Sequence, residues 1–128
     1  MKVDPVDPPR VFTTGRDNRI CMQDCARIAL DPDQQVTFVT PSGAQYDVAR
    51  KSWGFYATPS LDARLARFNL RAALVKNASG RHFIFLIERG AERDCECYME
   101  SEGMRIAAWL DSAEACRQLY ESRAKEAP

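Results

Sequence analysis

Two groups of residues have side-chain types and spacings that could bind a ligand or a metal ion or take part in a reaction. The larger group lies between positions 50 and 67. It combines aromatic rings, basic side chains and hydroxyls: Arg50, Lys51, Trp53, Phe55, Tyr56, Thr58, Ser60, Arg64 and Arg67. Aromatic rings between basic groups can stack on a planar ring, while the free amides of a helix N-terminus can hold an anion. The pattern predicts a non-enzymatic module that binds a small anionic ligand, such as a nucleotide or a sugar phosphate, or a partner protein. In the competing interpretation, the rings pack the start of a helix onto a sheet and the arginines form a solvated face.

The second group consists of two close cysteine pairs, Cys21 with Cys25 and Cys95 with Cys97. Four thiolates brought together by the fold could hold a structural zinc ion, and free thiols could also take part in a reaction. Neither spacing is the two-residue spacing that is usual for zinc knuckles. The alternative is that Cys95 and Cys97 are small core residues on the same face as Met99, because free cysteine is among the most buried residue types.

No other pattern indicates a catalytic site. His82 is the only histidine, and it begins an apolar run, which is more typical of a structural histidine than of a general base. The sequence contains no serine in a glycine elbow, no histidine pair spaced for metal binding and no phosphate-binding loop of the Walker type. We therefore predict no catalytic residue, and an enzyme would have to use the cysteines. A third hypothesis is an assembly protein that pairs with its own copy through a strand edge or the C-terminal helix.

Composition restricts the partners and the location that we expect. The 18 basic and 18 acidic side chains cancel to a formal net charge of zero, which does not favour non-specific binding of nucleic acid. The longest strongly apolar run, residues 83–87, is too short to cross a bilayer. The first ten residues lack the apolar segment of a secretory signal, and the cysteines are odd in number, at five. These features predict a soluble protein without membrane contact, in the reducing environment of the cytoplasm.

The elements that must position these residues are predicted from turn residues and apolar periodicity. Residues 1–20 are rich in Asp and Pro and are expected to form a flexible N-terminal arm, followed by one α+β domain over residues 21–124 and a tail over 125–128. Apolar or alternating runs predict strands near residues 26–30, 36–40, 45–49, 70–76, 82–88, 94–100 and 104–110. Because tight turns connect most of these runs, we expect an antiparallel β-meander of six to seven short strands.

Two helices complete the prediction. Thr58 and Pro59 have the residue types of an N-cap and a first helical position, which predicts a short internal helix running to Phe68. Asp111, with Glu114 three residues later, predicts the start of a C-terminal helix that packs on the sheet. The uninterrupted apolar run 83–87 predicts a central strand covered on both faces.

Overall fold

A computed structural model describes residues 1–126, and it confirms an α+β protein with antiparallel sheets, a short internal helix and a C-terminal helix. The strands are β1 (Lys2–Thr14), β2 (Ile20–Ala29), β3 (Gln35–Val39), β4 (Gln45–Lys51), β5 (Gly54–Ala57), β6 (Leu70–Lys76), β7 (His82–Glu88) and β8 (Arg105–Trp109). The α-helices are α1 (Arg64–Arg67), α2 (Glu92–Glu102) and α3 (Ala113–Glu126), and a single 3-10 turn spans Arg16–Asn18. No helix within residues 1–126 combines the length and the apolar character needed to cross a membrane.

Residue contacts divide the chain into two compact units. The first unit contains residues 1–36 and 47–57, and the second contains residues 37–46 and the described residues from 58 onward. The prediction of a single domain over residues 21–124 stays a prediction. Of the predicted tail, residues 125–126 belong to α3, and residues 127–128 lie outside the described part of the chain.

The first unit is built on a long antiparallel ribbon of β1 and β2, in which Lys2 pairs with Ala29 and Thr14 with Ile20. Residues 2–14 therefore form a strand within the segment 1–20, for which the composition predicts a flexible arm, and that flexibility stays a prediction. Proline cannot donate a ladder hydrogen bond, and it is tolerated at strand edges and bulges. The ladder shifts register between Pro5 and Arg10, the segment that contains the other two prolines of β1.

The second unit contains a three-stranded sheet in the order β7-β6-β8, with β6 in the centre. Alternate residues of β6 point to opposite faces. On one face, Leu70 and Ala72 pack with the fully buried Leu65 of α1. On the other face, Ala73 and Val75 pack with Met99 of α2. The predicted strands at 70–76 and 82–88 have the bounds of β6 and β7, but β7 is an edge strand and not the central strand we expected.

The segment 94–100 is helical, so the strand predicted there is wrong. Its alternation of apolar and polar residues also satisfies helical spacing, because Cys95 and Met99 are four residues apart and share one helix face. Met99 is buried and Cys97 is exposed, as a helix requires and a strand would not allow. Gly103 ends the helix in the left-handed region, at φ 68°, and the Met104 N–H donates to the Met99 carbonyl. Helix α2 thereby carries the chain from β7 across to β8 on the other side of β6.

Helix α3 packs on the sheet through its first turn. Ala115 and Cys116 are half-buried, and the Cys116 thiol donates to the Leu110 carbonyl. Ser112, and not Asp111, caps the helix, because its hydroxyl accepts the Ala115 N–H at 3.0 Å. Leu119 remains 61% exposed, so the apolar stripe of this helix is only partly covered.

Candidate functional site

Strands β4 and β5 form a tight hairpin that carries all three aromatic residues of the predicted site. Lys51 pairs with Gly54, which leaves Ser52 and Trp53 as the loop. Gly54 has φ 145°, a backbone conformation that residues with a Cβ atom rarely adopt. We name residues 50–57 the aromatic hairpin.

The three rings of the aromatic hairpin are exposed. Trp53 is 70% exposed, Phe55 63% and Tyr56 47%. Trp53 stacks on Tyr56 with ring centroids 6.1 Å apart and planes inclined by 25°. Phe55 pairs with Arg50 and therefore points to the opposite face from Tyr56, which pairs with Ala49. These rings are not core residues of the first unit, and together they form an exposed apolar surface on both faces of a narrow hairpin.

Both basic residues of the aromatic hairpin are engaged by neighbours in the first unit. The Arg50 guanidinium donates through Nη1 to the Leu30 carbonyl at 3.2 Å. The Lys51 ammonium lies 2.5 Å from Asp33 Oδ1. This hydrogen bond, then the charge of Asp33, raises the pKa of Lys51, with a smaller contribution from Tyr56. The charge of Lys51 is therefore paired with Asp33, and one donor of Arg50 is used by the Leu30 carbonyl.

The remaining predicted site residues, Thr58, Ser60, Arg64 and Arg67, belong to the second unit. The predicted helix over 59–68 is wrong in extent, because α1 spans only Arg64–Arg67 and its N-cap is Ala63. Thr58 is not an N-cap. Its hydroxyl is buried and has no hydrogen-bond partner among the described residues.

Ser60 takes over the capping interaction that was predicted for Thr58. Its hydroxyl accepts the Arg64 N–H at 2.9 Å, and its carbonyl accepts the Leu65 N–H. A turn this short, with its first amides already bonded, offers no anion site at its N-terminus. Arg64 lies over the Phe68 ring at 5.3 Å, and Arg67 is exposed.

The four cysteines of the predicted zinc site fall into the two separate units. Cys21 and Cys25 are exposed on β2 of the first unit, whereas Cys95 and Cys97 lie on α2 of the second. No group of three or more His, Cys, Asp or Glu side chains within residues 1–126 is arranged to hold a metal ion. The described residues thus lend no support to the zinc prediction.

The thiol-enzyme alternative gains no support from Cys95, the least exposed of its four cysteines. Cys95 is half-buried against Met99, and this burial, followed by the charge of Glu96, raises the pKa of the Cys95 thiol. A raised pKa reduces the thiolate, which is the nucleophilic form. His82 is exposed at the start of β7, on a different element from the cysteines.

One cluster was not anticipated from the sequence. Glu88, at the end of β7, accepts hydrogen bonds through Oε1 from the hydroxyls of Thr40 and Ser42, both at 2.6 Å. These bonds lower the pKa of Glu88. Glu88 is more than forty positions from Thr40 and Ser42 in the sequence, so no local spacing indicated this contact. Their bonding ties the turn after β3 to the edge strand of the sheet.

Comparison of the chain with known protein families, with characterised proteins and with solved structures found no match.

Proposed function

We propose that this protein is a non-enzymatic module that binds a partner protein through the aromatic hairpin. The observation that carries the proposal is the exposure of Trp53, Phe55 and Tyr56 on one hairpin. Tryptophan and tyrosine are the residues most enriched among those that dominate binding energy at protein interfaces. Three such rings in water are costly to a folded protein unless something covers them.

The stacking of the rings in the aromatic hairpin supports the same proposal. Trp53 stacks on Tyr56, and a side chain that is already ordered loses less freedom when it enters a pocket. Lys51 is likewise held by Asp33, which fixes a charged pair beside the rings. A central aromatic anchor with a polar rim is the usual arrangement of a protein interface.

A small anionic ligand is less well supported than a protein partner. Arg50 and Lys51, the cations nearest to the rings, already contact Leu30 and Asp33. A phosphate would have to compete with Asp33 for Lys51 and to approach Arg50 beside its bond to the Leu30 carbonyl. The proposal includes a reducing, cytoplasmic location, because the cysteines of the described residues are free thiols.

Affinity capture with matched variants tests the proposal. The wild-type protein, Trp53→Ala and Tyr120→Ala would each be used as bait in a lysate of the source organism, with captured proteins quantified by mass spectrometry. Tyr120 is the control because it is 75% exposed on α3 of the second unit. We expect one captured protein to be lost with Trp53→Ala and kept with Tyr120→Ala. With that protein purified, Trp53→Ala should raise the Kd about 30-fold, the effect of removing a residue worth about 2 kcal/mol.

Two outcomes would contradict the proposal. One is that every captured protein is retained equally by Trp53→Ala. The other is that a nucleotide or sugar phosphate, added to the isolated protein, shifts the NMR signal of the Trp53 indole N–H. Circular dichroism of the variant provides the folding control, since substituting an exposed side chain should change stability by less than about 0.5 kcal/mol.

A further inference from the structure

Strand β7 has an open edge. It pairs with β6 through seven consecutive residue pairs, from Leu70 with Glu88 to Lys76 with His82. No strand within residues 1–126 pairs with its other side. Phe83 is 43% exposed and Ile84 60% exposed, on opposite faces of this edge. An open edge carries backbone donors and acceptors that another extended chain can bind.

Between its polar ends, His82 and Glu88, the edge of β7 lacks the features that normally prevent such pairing. It contains no proline, no lysine and no break in register. The opposite edge strand, β8, differs, because its register with β6 shifts between Leu74 and Val75. Such irregularities protect an edge from association. This difference between the two edge strands of one sheet indicates that the edge of β7 is the one suited to pair with another strand.

A cavity of about 360 Å³ lies along this edge. Four consecutive residues of β7, 85–88, border it, so the cavity is reached from both faces of the strand. Thr40 borders it on one side, and Ala91 and Cys95 of α2 on the other. An extended segment that added to β7 would run into this groove and cover it.

We propose that two copies of this protein associate by antiparallel pairing of their β7 strands about a two-fold axis at Phe85. In this register Ile84 faces Leu86 of the second copy, and Phe83 faces Ile87. Each apolar residue of the strand is then opposite an apolar residue of the second copy, because all five residues of the run 83–87 are apolar. A two-fold interface requires this self-complementarity.

The charged ends of the strand fit the same register. His82 faces Glu88 of the second copy, so an imidazole N–H meets a carboxylate at each end of the ladder. Thr40 and Ser42 both donate to Oε1 of Glu88, and the Ala44 backbone also bonds to this carboxylate. The imidazole of the second copy would add a further donor, which a carboxylate with two oxygens can accept. One position further out, Arg81 would face Arg89, and like charges end the pairing there.

Light scattering coupled to size-exclusion chromatography, over a range of concentrations, tests this proposal. We expect the mass to rise with concentration from 14.5 kDa towards twice that value. Ile84→Lys should raise the dimer Kd about tenfold or more, because the symmetry places the added charge in the interface twice. Leu119→Lys is the matched control. It alters a residue on α3 with nearly the same exposure as Ile84, and it should leave the dimer Kd unchanged.

Hydrogen exchange of the wild-type protein provides the second measurement and does not depend on any variant folding. The amides of β7 should exchange more slowly at concentrations where the dimer forms. A mass of 14.5 kDa at all concentrations would overturn the proposal. Association that leaves β7 amides unprotected, or that Leu119→Lys abolishes, would overturn it as well, because the contact would then lie elsewhere.

Discussion

Asp111 and Arg71 form an ion pair that joins the end of β8 to the central strand β6. Asp111 Oδ2 accepts hydrogen bonds at 3.2 Å from Arg71 Nε and from the Ala72 N–H. The Asp111 side chain is only 7% exposed. The Arg71 guanidinium also lies 3.7 Å from the centre of the Trp109 ring. One carboxylate therefore satisfies a backbone donor and holds a cation in place over an aromatic ring.

Removing the charge of Asp111 should destabilise the protein strongly. Asp111→Asn leaves the Arg71 cation without its carboxylate partner, and breaking a largely buried pair in this way costs about 3 kcal/mol. Glu114→Gln is the control, because Glu114 pairs with Arg117 on the exposed surface of α3. That change should cost less than about 1 kcal/mol. Urea unfolding of both variants measures the difference, and equal costs would contradict the structural role of Asp111.

Leu65 should be the most sensitive position of α1. It is fully buried with Leu70 and Ala72, so Leu65→Ala creates a cavity. Such substitutions cost about 2–5 kcal/mol in the free energy of unfolding. Leu61→Ala removes the same atoms from a side chain that is 41% exposed, and its cost should be much smaller. A difference of less than about 1 kcal/mol between the two, by chemical denaturation, would be inconsistent with this core.

Glu88 should make stability depend on pH in the acidic range. The hydroxyls of Ser42 and Thr40 lower its pKa from the ordinary value of 4.5. A carboxyl group with a lowered folded-state pKa stabilises the fold at pH values above its unfolded-state pKa, and this contribution is lost as the pH falls through the folded-state pKa. The wild-type protein should therefore lose more stability on acidification than Glu88→Gln does.

An NMR titration of the Glu88 carboxyl carbon measures the same effect directly. Thr40→Val removes one of the two hydroxyl donors, so the Glu88 pKa should move back towards its ordinary value. If Thr40→Val leaves the Glu88 pKa unchanged, this hydrogen bond does not cause the shift.

Cysteine reactivity should follow exposure and charge. Cys21, Cys25 and Cys97 are exposed, whereas Cys95 is half-buried and has a raised pKa. At neutral pH, iodoacetamide should modify the three exposed thiols before Cys95, because the thiolate is the reactive form. Mass spectrometry of peptides from a time course gives the order. Early modification of Cys95 in the folded protein would show that it is activated instead.

Several features were decided by short-range chemistry and could be predicted from the sequence. The turn residues 77–80, between two apolar runs, were enough to place β6 and β7 with their correct bounds. The turn residues 40–43 likewise predict the hairpin of β3 and β4, which are neighbours in one sheet. The C-terminal helix was also expected, although Ser112 caps it and the carboxylate of Asp111 is used by Arg71 instead.

The tertiary structure decided what local pattern left open, because burial depends on residues that are distant in the sequence. Residues 94–100 fit both a strand and a helix, and packing of Cys95 and Met99 against the sheet selects the helix. The proline-rich start of the chain forms a strand because β2 offers it a partner. The apolar run 83–87 predicts a central strand covered on both faces. Leu86 and Ile87 do pack on opposite faces, but the topology places the strand at an edge of the sheet. Exposure of Trp53 likewise follows from its place at a hairpin tip and not from its type, since an aromatic residue suits a core as well as an interface.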